Sequence, residues 1–133
     1  MVAIVQTSGK RKTSVARAAV KKGTGMLKIN NLLLEEYTNS NLVSLKIQEP
    51  LLISGLGTKY DFKLSVQGGG VNSQADALRQ AIARALVEIT GDEDLKKLFV
   101  DYDRSLIVSD TRFKEAKKPN NSHARAKRQK SYR

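Results

Sequence analysis

The sequence predicts a two-layer α+β domain, with helices covering one face of a sheet, followed by an extended basic C-terminal tail. Three observations lead there. Residues 60–67 alternate strictly, Tyr60, Phe62, Leu64 and Val66 against Asp61, Lys63, Ser65 and Gln67, which is the period of a half-buried strand. Residues 73–89 repeat at helical spacing, with Leu78, Ile82, Leu86 and Ile89 on one face and Asp76, Gln80, Arg84 and Glu88 on the opposite stripe. From Thr111 the apolar pattern stops, and only Phe113 and Tyr132 interrupt polar, basic and small residues, too little apolar surface to offset the entropy of ordering. The chain of 133 residues therefore divides into a body over 1–110, large enough for one core, and a tail over 111–133.

The other elements follow from local chemistry. The β-branched run at residues 2–7 predicts a strand, SGKRK a basic loop, and residues 13–21 a second strand. In KGTG, Gly23 and Gly25 can take positive φ and turn the chain into a short strand over 26–29, which gives an antiparallel meander with a basic tip. Residues 32–47 suit either element, although TNSN and Pro50 suggest a helix that begins near Asn39 and stops before the proline. Gly91 is placed to end the long helix. Asp92 caps a second helix carrying Leu95, Leu98, Phe99 and Tyr102, and residues 105–109 read as a last buried strand.

Charge narrows the function. The net charge is +11, but residues 1–110 hold 15 basic and 12 acidic side chains, whereas residues 111–133 hold 9 basic and 1 acidic. A field of this kind attracts polyanions. The chain has no cysteine, which excludes disulfides, thiolate nucleophiles and cysteine-held metals. No run approaches 18 apolar residues, and in MVAIVQTSGKRK the charges follow the apolar stretch, so a soluble protein without a secretory signal is expected.

Catalytic motifs fail one by one. IVQTSGKRKT lacks the P-loop spacing, because Ile4 stands five positions before Gly9 and Arg11 follows Lys10. GTGMLK has Lys28 where a dinucleotide fingerprint needs glycine. His123 is the single histidine and lies in the tail, and Asp101 and Asp103 are explained by helix-end capping and by partners for Arg104. No nucleophile, base and orienting group can be assembled, which argues against a phosphotransferase. A DNA-compacting protein would spread its charge over the body, whereas here most of the excess lies in one arm. Two features favour RNA, DNA or another polyanion as the partner. Lys10, Arg11, Lys12, Arg17, Lys21 and Lys22 put six cations into residues 10–22 with no acid among them, a cluster that repels itself until a partner neutralises it. Gly68, Gly69 and Gly70 lie between a strand and a helix, where glycine serves either close packing or the approach of backbone amides and a helix N-terminus to a phosphate.

The stretches SGKRKTSVARA, GGG with SQADALRQAIARALV, LKKLFVDYDRSLIVSDTRFKEAKKP and ARAKRQKSYR occur in an order and spacing that resemble the small-subunit ribosomal protein nine family, in its archaeal and eukaryotic style, over nearly the whole chain. The resemblance implies a non-enzymatic, cytoplasmic component of the small ribosomal subunit. Its partners would be ribosomal RNA in the head, neighbouring head proteins and the peptidyl-site tRNA, with no cofactor, metal, membrane or small-molecule substrate. It implies a mixed β-sheet with helices packed on one side and a left-handed β-α-β crossover, against the usual hand. The ribosomal RNA contacts it implies fall on Lys10, Arg11, Lys12, Arg17, Gly68, Gly69, Gly70, Arg79, Arg104, Arg112, Lys114, Lys117, Lys118, Arg125, Lys127 and Arg128. The tRNA contacts fall on Lys130, Tyr132 and Arg133. Ala116 stands where many relatives carry proline, and Asn120 and Asn121 where glycine is common. A similar bend there would use asparagine, which also tolerates positive φ.

Overall fold

A computed structural model describes residues 3–132; Val2, at the start of the first expected strand, lies outside them. The elements are β1 (Val5–Arg11), β2 (Ser14–Lys22), β3 (Leu27–Ile29), β4 (Leu32–Leu33), α1 (Leu34–Tyr37), α2 (Asn41–Ser54), β5 (Tyr60–Gln67), α3 (Val71–Thr90) and α4 (Glu93–Tyr102), with a 3-10 turn at Arg104–Leu106. They form the expected two-layer α+β body around a mixed sheet of order β1-β2-β5-β3-β4. β2 runs antiparallel to β1 and to β5, whereas β3 runs parallel to β5 and antiparallel to β4.

That order corrects the meander. β5 lies between β2 and β3, so the third strand never touches the second. The cause is Asp61 at the start of β5. Its Oδ1 accepts hydrogen bonds from the backbone amides of Thr24 (2.8 Å), Gly25 (3.0 Å) and Met26 (2.9 Å), and Gly25, at φ 100°, gives the turn the curvature it needs. The turn is thereby pulled across the end of β5 and delivers β3 to its far side. These amides, with Met26 and Thr24 foremost and the Lys21 charge assisting, hold the Asp61 carboxyl below its usual value of 3.8. A carboxyl depressed in the folded state stabilises the fold above its unfolded pKa, and that stabilisation is lost as pH falls through the folded value. Asp61→Asn is therefore expected to lower the urea midpoint at pH 7, with the variant and parent curves converging below about pH 4. A constant gap at all pH values would refute this role.

Two further boundaries differ from expectation. The SGKRK loop is strand up to Arg11, and a turn of only Lys12 and Thr13 joins β1 to β2, with Lys12 at φ 52°. α2 passes through Pro50 and ends at Gly55, at φ 66°. Proline removes one helix hydrogen bond, but Pro50 is buried with Val43 and Ile47, and that packing carries the helix past it.

The core lies between the helices and one sheet face. Ala16, Ala18 and Val20 of β2 and Phe62, Leu64 and Val66 of β5 meet Leu78, Ile82 and Leu86 of α3, while Phe99 of α4 and Leu106 close one end. Gly91, at φ 64°, ends α3, and the Asp92 side chain accepts from the Asp94 amide to cap α4, both as expected. The other sheet face carries no helix and exposes Val15, Arg17, Lys63, Ser65 and Gln67. Among the described residues no helix is long and apolar enough to cross a membrane.

Residues 105–109 do not form the expected strand. The segment follows β1, but side chains take the place of a ladder. Arg84 donates to the carbonyls of Ser8 (2.8 Å) and Ile107 (3.0 Å) and to Ser109 Oγ (3.0 Å). Gln80 accepts from the Lys10 amide (2.9 Å) and reaches the same Ser109 hydroxyl (3.4 Å). The expected polar stripe of α3 is thus partly internal, with Gln80 buried and Arg84 half-buried.

Candidate nucleic-acid interface

Three segments remote in sequence meet at one end of the body. The β2–β5 register pairs Val15 with Gln67, which sets the hairpin turn beside the glycine loop. Ser14, fully buried, donates from Oγ to the Gly68 carbonyl (2.8 Å) and stands 3.0 Å from Ser73 Oγ in the first turn of α3. Gln74 donates to the same carbonyl (3.0 Å).

The tail starts at this end too. Arg11 Nη1 lies 3.0 Å from the Asp110 carboxylate, and Arg112 grips that carboxylate through Nε (3.0 Å) and Nη2 (2.7 Å). The Arg112 hydrogen bonds, with the Arg11 charge beside them, hold the Asp110 carboxyl well below the usual carboxylate range. Lys10 Nζ sits 5.8 Å from the centroid of the Phe113 ring, within cation–π reach.

The three glycines are not equivalent. Gly68 and Gly69 have φ of 78° and 67°, and a Cβ would lie 2.5 Å from the Thr13 carbonyl at Gly68 and 2.0 Å from Ser14 Oγ at Gly69. Both are required by the fold. Gly70 precedes α3 at φ −104°, and nothing lies within 4 Å of a Cβ placed there. Only Gly70 therefore faces open space, at the positive end of a 20-residue helix.

The expected contact residues fall into separate groups. Lys10, Lys12 and Arg17 are exposed, with no acid in ion-pair range among the described residues; Lys10 and Arg17 share the outward phase of the hairpin. Arg11 is on the inward phase and is paired with Asp76 and Asp110. Arg79 is enclosed, with Nε 2.6 Å from Glu49 and Nη1 2.9 Å from Asp103. Through these two carboxylates it ties α2 and α3 to the end of α4. Asp103 also accepts from the Ser105 amide (2.9 Å), which is the capping role expected of it. Arg104 is exposed. In the tail Lys114, Lys117, Lys118, Lys127, Arg128, Lys130 and Tyr132 are exposed, as is Arg125, which lies 2.9 Å from Glu115; Arg133 lies outside the described residues. The expected bend occurs at Asn120, with φ 67°, after which Asn121 bridges to Lys127 and the Ser122 amide donates to the Ala126 carbonyl (3.1 Å).

Sequence reasoning missed two cations. Lys63 and Lys28 lie side by side on the helix-free sheet face, paired in the β3–β5 register, with Arg17 on the same face. The strict alternation of residues 60–67 already assigned Lys63 to the outward phase. Lys28 carried no such signal, because its neighbour is known only from the strand order. Among the described residues no group of three His, Cys, Asp or Glu side chains could hold a metal.

Residues 9–133 match the family model described as ribosomal protein S9/S16. A protein of Methanothrix thermoacetophila named small ribosomal subunit protein uS9 is 48% identical over 131 residues, covering 98% of each chain. Its namesake in Thermoplasma acidophilum is 53% identical over 128 residues, covering 96% of this chain and 98% of its own. On the extent of that match and those identities, the chain belongs to the ribosomal protein S9/S16 family, whose members are structural and not catalytic.

Proposed function

We propose that the chain is a structural component of the small ribosomal subunit in the cytoplasm, that its body binds ribosomal RNA in the subunit head, and that its tail reaches the peptidyl-site tRNA. The observation that carries the RNA reading is the meeting of three elements at one end of the body: the exposed Lys10 and Lys12, the open Gly70 at the start of α3, and the root of the basic tail. Amides at a helix start and cations on a rigid hairpin suit a phosphate backbone. The near full-length similarity to proteins named as small-subunit components supports the particle. Arg79 is left out of the interface because its guanidinium serves an internal ion pair.

Binding of the full chain to small-subunit ribosomal RNA, followed across a salt series, tests this. Each of Lys10→Ala and Lys12→Ala is expected to reduce the logarithmic salt slope by roughly 0.7 to 0.9. Gly70→Val should stay folded and bind more weakly, whereas Gly69→Val should fail to fold, because its φ of 67° and the Ser14 hydroxyl both oppose a side chain. Unchanged slopes in both lysine variants, with Gly70→Val binding like the parent, would place the RNA elsewhere on the molecule.

A further inference from the structure

α2 is apolar on two sides. Val43, Ile47 and Pro50 are buried against the body, yet Leu42, Leu45 and Leu52 point outward, 80%, 55% and 67% exposed. With Glu49 these fall at positions 42, 45, 49 and 52, one stripe of a helix. α4 continues the patch. Its Leu95 and Phe99 are buried, while Leu98 and Tyr102, four residues apart, are 48% and 57% exposed, and the Tyr102 hydroxyl donates to Glu49 across the two helices. A lone exposed leucine is ordinary. Five large apolar side chains aligned on adjoining helices mark a surface that something covers.

The charge around the patch says what can cover it. Residues 32–57 hold Glu35, Glu36 and Glu49 against Lys46, and residues 92–103 hold Asp92, Glu93, Asp94, Asp101 and Asp103 against Lys96 and Lys97. On a chain of net charge +11 these two segments together carry −5. A phosphate backbone is repelled there and gains nothing from leucine. A second copy of this chain would bring the same acids face to face. A helix with apolar residues at spacings of three and four, flanked by lysine or arginine, matches both the stripe and its charge. We propose that the outward face of α2, continued by Leu98 and Tyr102 of α4, docks a basic amphipathic helix of another small-subunit protein. The inference rests on the small-subunit reading above and assigns a protein-facing surface of the molecule.

The test uses the full chain with a benzophenone side chain at position 45, assembled into small subunits and irradiated after the particles are purified. The expected product is an adduct with one other protein, through a peptide rich in Lys or Arg with apolar residues three or four apart. The double variant Leu45→Gln/Leu52→Gln should enter particles normally yet retain that protein roughly tenfold less well, as when anchor side chains are removed from an interface. An adduct with RNA, an adduct with a second copy of the chain, or no adduct would overturn the docking, as would unchanged retention in the double variant. Incorporation without a protein adduct sinks this inference alone. Exclusion of the unsubstituted chain from the particles sinks the subunit reading and the docking with it.

Discussion

Gly9→Ala is expected to destabilise this body severely, although it adds a single methyl group. A Cβ at Gly9 would lie 2.2 Å from the Ala77 carbonyl oxygen, 2.8 Å from the Ala81 amide nitrogen and 3.1 Å from Gln80 Cβ. The first two belong to the backbone of α3, so no side-chain rotation relieves the overlap and the helix itself must move off β1. Three ties would be drawn out with it: Thr7 Oγ1 to the Ala81 carbonyl (2.9 Å), the Lys10 amide to Gln80 (2.9 Å) and Arg84 to the Ser8 carbonyl (2.8 Å). Overpacking a core costs about 1 to 3 kcal/mol when side chains can adjust. Against rigid backbone the cost should reach the order of 4 kcal/mol, a large part of a domain stability of roughly 5 to 15 kcal/mol. Gly57→Ala is the control, since its Cβ would meet only Leu51 Cβ at 3.5 Å, and it should change stability by no more than about 0.5 kcal/mol. Urea unfolding followed by circular dichroism compares the two. Equal midpoints would show that α3 does not need its close approach to β1.

Gly9 also shows where reading the sequence loses its grip. A glycine between Ser8 and three basic residues has the composition of a loop, and SGKRK reads as one. What makes it strand is distant: Ala77 and Ala81 on α3 leave room for a strand to lie close only if that strand lacks a side chain at the contact. Local periodicity carries no such information. Where a single face faces a single core, it carries a great deal. β5 occupies residues 60–67 as its alternation requires, and α3 spans the expected turns with Leu78, Ile82 and Leu86 inward. Strand order was hidden because it depends on the Asp61 carboxylate seizing three amides thirty-five or more residues earlier in the chain. Pro50 misled because a rule about one missing hydrogen bond was outweighed by packing. In the interface the cations were legible as a cluster, but their use was not. Arg11 and Arg79 are as basic in the sequence as Lys10 and Arg17, and only the acids brought near them by the fold distinguish internal ties from free charge.

Removal of residues 130–133 is expected to leave the body and its assembly intact while weakening peptidyl-site tRNA binding by the small subunit by about 1 to 3 kcal/mol, the scale of charged hydrogen bonds lost without replacement. The fold should not notice. Lys130 and Tyr132 make no hydrogen bond or ion pair with the body among the described residues, and Tyr132 is 87% exposed. The tail is anchored at its root instead, by Asp110 held between Arg11 and Arg112, which fixes its exit beside the basic end of the body. From Thr111 the 23 residues could span on the order of 75 to 80 Å if fully extended. The narrow loop at residues 121–127 shortens that reach, but the Ser122 amide and hydroxyl on one carbonyl and an exposed Arg125–Glu115 pair hold it only weakly, and phosphates would compete for the same cations. Ala124, Ala126 and Ser131 keep the backbone slim between Arg125, Lys127, Arg128 and Lys130, so the arm can pass between RNA helices while its long side chains reach phosphates on either side. On this reading the truncation acts on binding alone. Unfolding midpoints should match the parent, ribosomal RNA affinity of the free chain should fall only through its salt slope, and tRNA affinity of the assembled subunit should drop. If the truncated subunit holds peptidyl-site tRNA and decodes as accurately as the parent, the end of the arm coats RNA without touching tRNA.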